Sequence, residues 1–259
     1  MTRGWLYRPS GVWTVRILTL AATLGIWQAY ASGLNRALLA PPSEVAQALW
    51  EEAVTVGNIW PALGGSLLTL VSGFGLSMLV GVPLGIAMGR ARTLEYVIDP
   101  YVSFLYALPH VALVPLMVIW FGFNLQFRLA YVFVSAVFPA IINTMVGVKN
   151  VDQELLDAGR AFCASERQVL RTIVLPSAVP YIFAGGRQAL SSAWVGVVVS
   201  EILAALTGVG RLIVTYGDDY KTANMLVPIV VIMGIAVAIQ SLTAKLQGRI
   251  TRWQAVRNV

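Results

Sequence analysis

The sequence predicts an all-α polytopic membrane protein with six transmembrane helices. Of its 259 residues, 58% are hydrophobic and only 12% charged, whereas about a quarter of a soluble domain is charged. The apolar residues come in runs of about 20, enough to cross a hydrocarbon core about 30 Å thick. The cationic residues are also segregated by side. Six spans place all of them except Arg36, Arg128, Arg211 and Lys221 on the side of the two termini. By the positive-inside bias both termini are therefore expected in the cytoplasm. The net charge of +6 follows from that topology rather than from nucleic-acid binding.

The spans read as 12–30, 62–89, 104–122, 129–148, 179–200 and 224–243, within a single transmembrane domain over 1–259. The first has a rival reading as a signal peptide cut after Ala29-Tyr30-Ala31. Trp27 and Gln28 crowd that cut, and the run is kept as a helix. The second holds Pro83, a point for a kink or tilt, and Gly81, Gly85 and Gly89, whose spacing lets a neighbouring helix approach closely. In the connection over 31–61, Pro41-Pro42-Ser43 precedes Glu44 to Trp50. Ser43 is the expected N-cap of a short amphipathic helix at the outer interface, with Trp50 and Trp60 in the aromatic belt. Gly208-x-Gly210 reads as a turn.

The loop at 149–178 is a charged island between two apolar runs. Asp152, Glu154 and Asp157 give an acidic helix start. Leu155, Leu156, Ala158, Gly159 and Phe162 give an apolar, small-residue face. A second helix is expected from Ser165, a good N-cap, and Pro176 and Pro180 are expected to break the backbone as the fifth span begins. On the residues alone the island reads either as a solvated connector or as an element that docks into a soluble partner.

Enzyme chemistry has little to stand on. There is no Gly-x-x-x-x-Gly-Lys-Ser/Thr phosphate loop, one histidine (His110) and one cysteine (Cys163). These exclude a Ser/His/Asp set of the usual kind, a cysteine metal cluster and a His-rich metal site. No cofactor is expected in this chain. The polar residues in or near spans are candidates for a pathway: His110, Asn143, Gln188, Ser191, Ser192 and Glu201. Serines can equally satisfy their own helix carbonyls, and Glu201 can sit at the outer water interface. No cation is clearly placed at mid-membrane to hold an anion.

The island resembles the Glu-Ala-Ala loop of ABC importer permeases. Counted back from Leu175-Pro176, Asp157-Ala158-Gly159 falls where that family has Glu-Ala-Ala. Cys163 falls on its glycine, and Ala164-Ser165 matches its continuation. Leu39 to Val45, Trp120-Phe121-Gly122, Asn143-Thr144 and Glu201 look like the nitrate/sulfonate/taurine branch. The resemblance implies a type I importer fold with a coupling loop at 149–178 between the fourth and fifth spans. It implies a permease of a bacterial inner (plasma) membrane, without an ATPase site of its own, that carries a small organic anion such as a sulfonate or nitrate. The implied partners are a cytoplasmic ATPase dimer carrying ATP and Mg, a second permease copy (a homodimer rather than a sister chain) and an external solute-binding protein. Glu154, Asp157, Ala158, Gly159, Arg160, Cys163, Ala164 and Ser165 would then dock the ATPase. Cysteine in place of glycine costs about 1 kcal/mol if the turn keeps a positive φ. The rival class is a self-sufficient secondary transporter or channel, which calls for paired mid-span acids or an inverted repeat with broken helices. The sequence has no such paired acids.

Overall fold

The structure, a computed structural model, describes residues 9–204 and 207–250. Arg3, Arg8, Arg252 and Arg257, which enter the charge asymmetry, lie outside those residues. Every regular element among the described residues is a helix. In chain order these are α1 (Pro9–Ser32), α2 (Pro42–Trp50), α3 (Ile59–Arg90) and α4 (Arg92–Ala107). Then come α5 (Val114–Phe121), α6 (Leu125–Lys149), α7 (Gln153–Ala161) and α8 (Glu166–Val169). The last are α9 (Leu175–Ala204), α10 (Gly208–Asp218) and α11 (Thr222–Ile250). Five helices are long and apolar enough to span a membrane, and a bent pair makes up to six.

The chain divides into two compact units, Met1–Ala62 with Leu212–Val231, and Leu63–Arg211 with Ile232–Val259. Helices α3, α10 and α11 each have a segment in both.

In the first unit, Pro42 opens α2 and Pro41 is its N-cap. Ser43 therefore lies inside the first turn and does not cap it. Its backbone N–H and hydroxyl instead meet Gln28 of α1, at 3.2 and 3.1 Å. Proline supplies the helix start because its fixed φ suits the first helical position, where no N–H is needed. Trp50 and Trp60 are exposed, as interface anchors are. Glu52 is buried and accepts from Tyr216 and Asn224. Burial, and then the Glu52 carboxylate, push the Tyr216 phenol up to about 12, so it remains a proton donor at any physiological pH.

The second unit is organised around α6. Its apolar window is 61% buried, against 28% for that of α3 and 22% for that of the span ending in α9. Asn124 caps it by accepting from Phe127 N–H at 3.1 Å. Glycines on α3 let the two backbones touch. A Cβ on Gly85 would lie 2.5 Å from the Ile141 carbonyl, and one on Gly81 2.9 Å from Ala140 Cβ. Tight contact of this kind gives membrane helices the dispersion energy that lipid exclusion does not supply.

Three other expectations meet a different structure. The straight span over 104–122 is instead α4 followed by a short 3-10 turn (His110–Leu113) and α5, bent by 93°. Leu108 and Pro109 hold extended conformations there, which the residue before a proline prefers. Pro176 and Pro180 do not break the fifth span. A π turn over Leu170–Val174 leads into α9, and the helix is continuous from Glu166 to Ala204. The wider turn sits just before Pro176, where the missing N–H would otherwise interrupt the ladder. Gly208-x-Gly210 is not a simple turn but the first residues of α10.

The close α3–α6 seam yields a prediction. Gly85→Val should cost roughly 1–3 kcal/mol by overpacking, seen as a lower thermal midpoint in detergent. Gly75→Val on the same helix, where a Cβ meets nothing within 4 Å, should leave the midpoint close to that of the unsubstituted chain.

Candidate functional site

The 149–178 loop is built from local signals and then anchored by apolar packing. Asp152 caps α7, accepting from Glu154 N–H at 3.0 Å. The helix ends at Phe162, and Cys163 turns the chain with φ +53, one of two non-glycine residues with positive φ among those described. Its N–H reaches the Arg160 carbonyl at 2.9 Å, and Ala164 N–H reaches that of Gly159 at 3.0 Å. These bonds satisfy helix-end carbonyls as a left-handed cap does. The turn expected of glycine is thus kept and its strain accepted. Ser165 then forms a capping box with Gln168 at the start of α8.

The loop rests on a cluster of Val148, Val151, Val169, Val174 and Ala178, against which Ile86, Leu156, Ala164 and Ile173 pack. Gly159 faces inward: a Cβ there would sit 2.9 Å from Ile173 Cδ1. Two ion pairs brace the rim, Arg90 with Glu166, and Lys149 with Glu95 at 2.6 Å. Both pairs are partly exposed and contribute about 1 kcal/mol or less each, so the apolar cluster is the main anchor. A cavity of ≈840 Å³ lies between the loop and the ends of α3, α4 and α6.

The opposite surface of the loop is open. Glu154, Asp157, Ala158, Arg160, Cys163 and Ser165 are exposed, while Gly159 is buried and Ala164 half-buried. Asp157 pairs with Arg160 at 3.0 Å. Phe162, expected on the apolar packing face, is instead 87% exposed. It stands at the C-cap of α7, outside the cluster that Leu156 packs against.

The polar span residues do not all gather in one place. Asn143 Nδ2 donates to Gln188 Oε1 at 3.1 Å, and Gln188 Nε2 donates to the Tyr106 hydroxyl at 3.2 Å. This joins α6, α9 and α4. Ser191 lies one turn further along α9, where its hydroxyl donates to the Arg187 carbonyl and accepts from Gln240 of α11. Ser192 is half-buried beside it. His110 lies apart, stacked on Phe138 at 6.1 Å with Nε2 buried and unpartnered. Arg187, grouped by sequence with the terminal-side cations, sits well inside α9. It and Gln240 were missed as site residues, although each is a polar residue within an apolar run.

Glu201 is not at a water interface but fully buried. The Ser66 hydroxyl lies 2.8 and 2.7 Å from its two oxygens, and Gly210 N–H donates at 3.1 Å. Arg128 stands 3.8 Å away, and Val209 N–H donates to Ser66 Oγ at 3.0 Å. Gly208, with φ +83, leaves room for the carboxylate, since a Cβ would come within 2.2 Å of it. The group clasps α3, α6, α9 and the start of α10, and removing one partner of such a buried pair costs about 3–5 kcal/mol.

Several helices long and apolar enough to span a membrane, with an anchored loop exposed on one face between two of them that pack closely on each other, are the architecture of a transport permease. Residues 81–252 match the binding-protein-dependent transport system inner membrane component family. The chain belongs to that family. It is 32% identical over 255 residues to the taurine transport system permease protein of Escherichia coli (strain K12), covering 96% of this chain and 93% of that one. It is 28% identical to the bicarbonate transport system permease protein of Synechococcus elongatus, covering 95% of each. The fold is similar to that of the MetNI methionine ABC transporter in inward-facing conformations. The TM-score is 0.65 at 20% identity, over 77% of this chain and 97% of that one. The chain is therefore a multi-pass inner-membrane ABC importer permease, a role that implies an ATPase and a binding protein as partners.

The strained turn is testable. Cys163→Gly should stabilise the loop by about 1 kcal/mol, read as slower amide exchange at 163–165. Unchanged exchange would show that the positive φ carries no strain.

Proposed function

We propose that this chain is the membrane-spanning subunit of an ATP-driven importer for a small organic anion of the sulfonate or bicarbonate type. Two copies line one pathway, and each presents its 149–178 loop to a cytoplasmic ATPase subunit that carries ATP and Mg. An external binding protein delivers the substrate. The termini and the loop lie on the cytoplasmic side, in keeping with the distribution of lysine and arginine.

The observation that carries the reading is the two-sided loop: an apolar anchor beneath and an exposed Phe162 above. A large apolar side chain held in solvent among charges is a natural anchor for a partner's groove. Ala158 and Asp157 flank it on the exposed surface, and Arg160 offers a cation to acidic groups. The inward contacts of Gly159 and Ala164 position that surface rather than touch the partner. When ATP closes the ATPase pair, the loops move together and the spans pass from inward-open to outward-open.

The substrate class rests on relatives. Two of them are named for taurine and bicarbonate transport, and both compounds present an anionic oxygen group. Selectivity among such anions belongs largely to the binding protein.

Ala158→Arg tests the docking role. Uptake of labelled taurine or bicarbonate by cells carrying the complete system should fall at least about tenfold, the effect of about 1.4 kcal/mol lost at an interface. The ATPase should either dissociate or hydrolyse ATP without transport. Normal assembly and uptake in that variant would remove the loop from the coupling path.

A further inference from the structure

Arg187 is the feature that the coupling role leaves unexplained. It lies about 25 Å along α9 from the Ala204 end, at about 1.5 Å per residue. That is inside the depth of a hydrocarbon core about 30 Å thick. Gln240 lies at a similar depth on α11, about 27 Å from Thr222. An ionised group at that depth is costly and marks a functional site by default.

The guanidinium is short of acceptors. It has five N–H donors in a fixed fork. Nη1 donates to Gln247 Oε1 at 3.1 Å, while Nε is buried with no partner. Two adjoining cavities open on it. One, of ≈330 Å³, is lined by Ala184, Gln188, Ser191 and Gln240, and the other, of ≈440 Å³, reaches Ser241. Both are open, shallow clefts rather than enclosed pockets. The described lining residues include no acidic side chain. Gln240 donates to the Ser191 hydroxyl, which fixes two neutral polar groups beside the cation.

We propose that Arg187, with Gln188, Ser191 and Gln240, binds a small oxyanion such as a sulfonate or bicarbonate at this depth. A planar oxyanion edge or a sulfonate face takes two parallel N–H bonds from an arginine fork, and its oxygen supplies the acceptor that Nε lacks. Gln188 links the site to Asn143 and Tyr106, so a polar track leads into it. That the anion is cargo, held at the cytoplasmic end of the route, rests on the importer reading. The binding itself does not.

The test is protection of a thiol. Ala184→Cys is introduced into the full chain with Cys163→Ser, purified with its co-purifying subunits and placed in phosphatidylcholine nanodiscs. Labelling by a cationic thiol reagent is followed as ethanesulfonate or bicarbonate is added. Both anions should slow labelling, with Arg187→Gln weakening the effect at least about tenfold, as loss of a charged hydrogen bond does. Arg187→Lys should retain part of it. A single size-exclusion peak that retains the co-purifying subunits shows that Arg187→Gln is folded. Absence of protection by either anion, or equal protection in Arg187→Gln, overturns the site. Protection that comes only with phosphatidylglycerol in the disc assigns the site to a lipid headgroup and overturns its place on the route. None of these readouts needs ATP or uptake, so failure here is distinct from failure of the importer reading.

Discussion

The close approach of α3 and α9 to α6 is the constraint on which the second unit depends. Lipid gives apolar helices no hydrophobic reason to associate, so contact area must come from backbones that nearly touch. On one side, Gly81, Gly85 and Gly89 of α3 meet Ala140, Ile141 and Val148. On the other, Gly185 and Gly196 of α9 meet Asn143 and Ser135, and Gly147 of α6 meets Tyr181. At each of these positions except Gly196, where the contact is tight at 3.1 Å, a side chain would come closer than 3.0 Å to its neighbour, which costs roughly 1–3 kcal/mol. The central helix is thereby held from both sides along most of its length.

That grip gives the loop its mechanical character. α6 runs directly into it, and α9 leaves it, so the loop is bracketed by one of the tightest helix pairs in the chain. The Val148–Val174 cluster then bonds the loop to the ends of those same helices. At the far end, Glu201 ties α9 to α3 and α6 through Ser66 and Arg128. In the proposed role, a push on Phe162 would reach a stiff pair of spans rather than a flexible connector. The polar track from Tyr106 through Gln188 and Asn143 crosses that pair, where movement of α9 would alter it.

Much of the fold was legible because apolar length and charge asymmetry are additive signals spread over many residues. The family was legible for a different reason: the loop motif and several outlying short motifs coincide in one chain. The Ser165 cap was readable too, since it acts on an N–H three residues on, whereas Asp152 read only as part of an acidic helix start. The bend at Leu108-Pro109 was not. Val82-Pro83, Asp99-Pro100, Phe138-Pro139, Val179-Pro180 and Val227-Pro228 all lie in continuous helices, so proline alone does not say where a membrane helix turns. The clasp was equally hidden. Glu201, Ser66, Arg128 and Gly208 are scattered in sequence, and only their meeting explains why glycine is required at 208. Phe162 was misplaced because helical periodicity assigns it to the face of Leu155 and Gly159, whereas it lies at the C-cap, past the last regular residue of α7. Arg187 was visible within an apolar run, but its depth and its unpartnered Nε are properties of the packed helix.

The central claim is that the loop is a rigid handle for an ATPase, fixed to the α6–α9 pair. Amide exchange of the purified chain, alone and with its co-purifying ATPase, tests it most directly. The account predicts that 153–165 becomes protected when the ATPase is bound, while 135–147 and 180–196 exchange slowly in both states. Equal exchange of 153–165 with and without the ATPase, or rapid exchange in the α6–α9 pair, would contradict it.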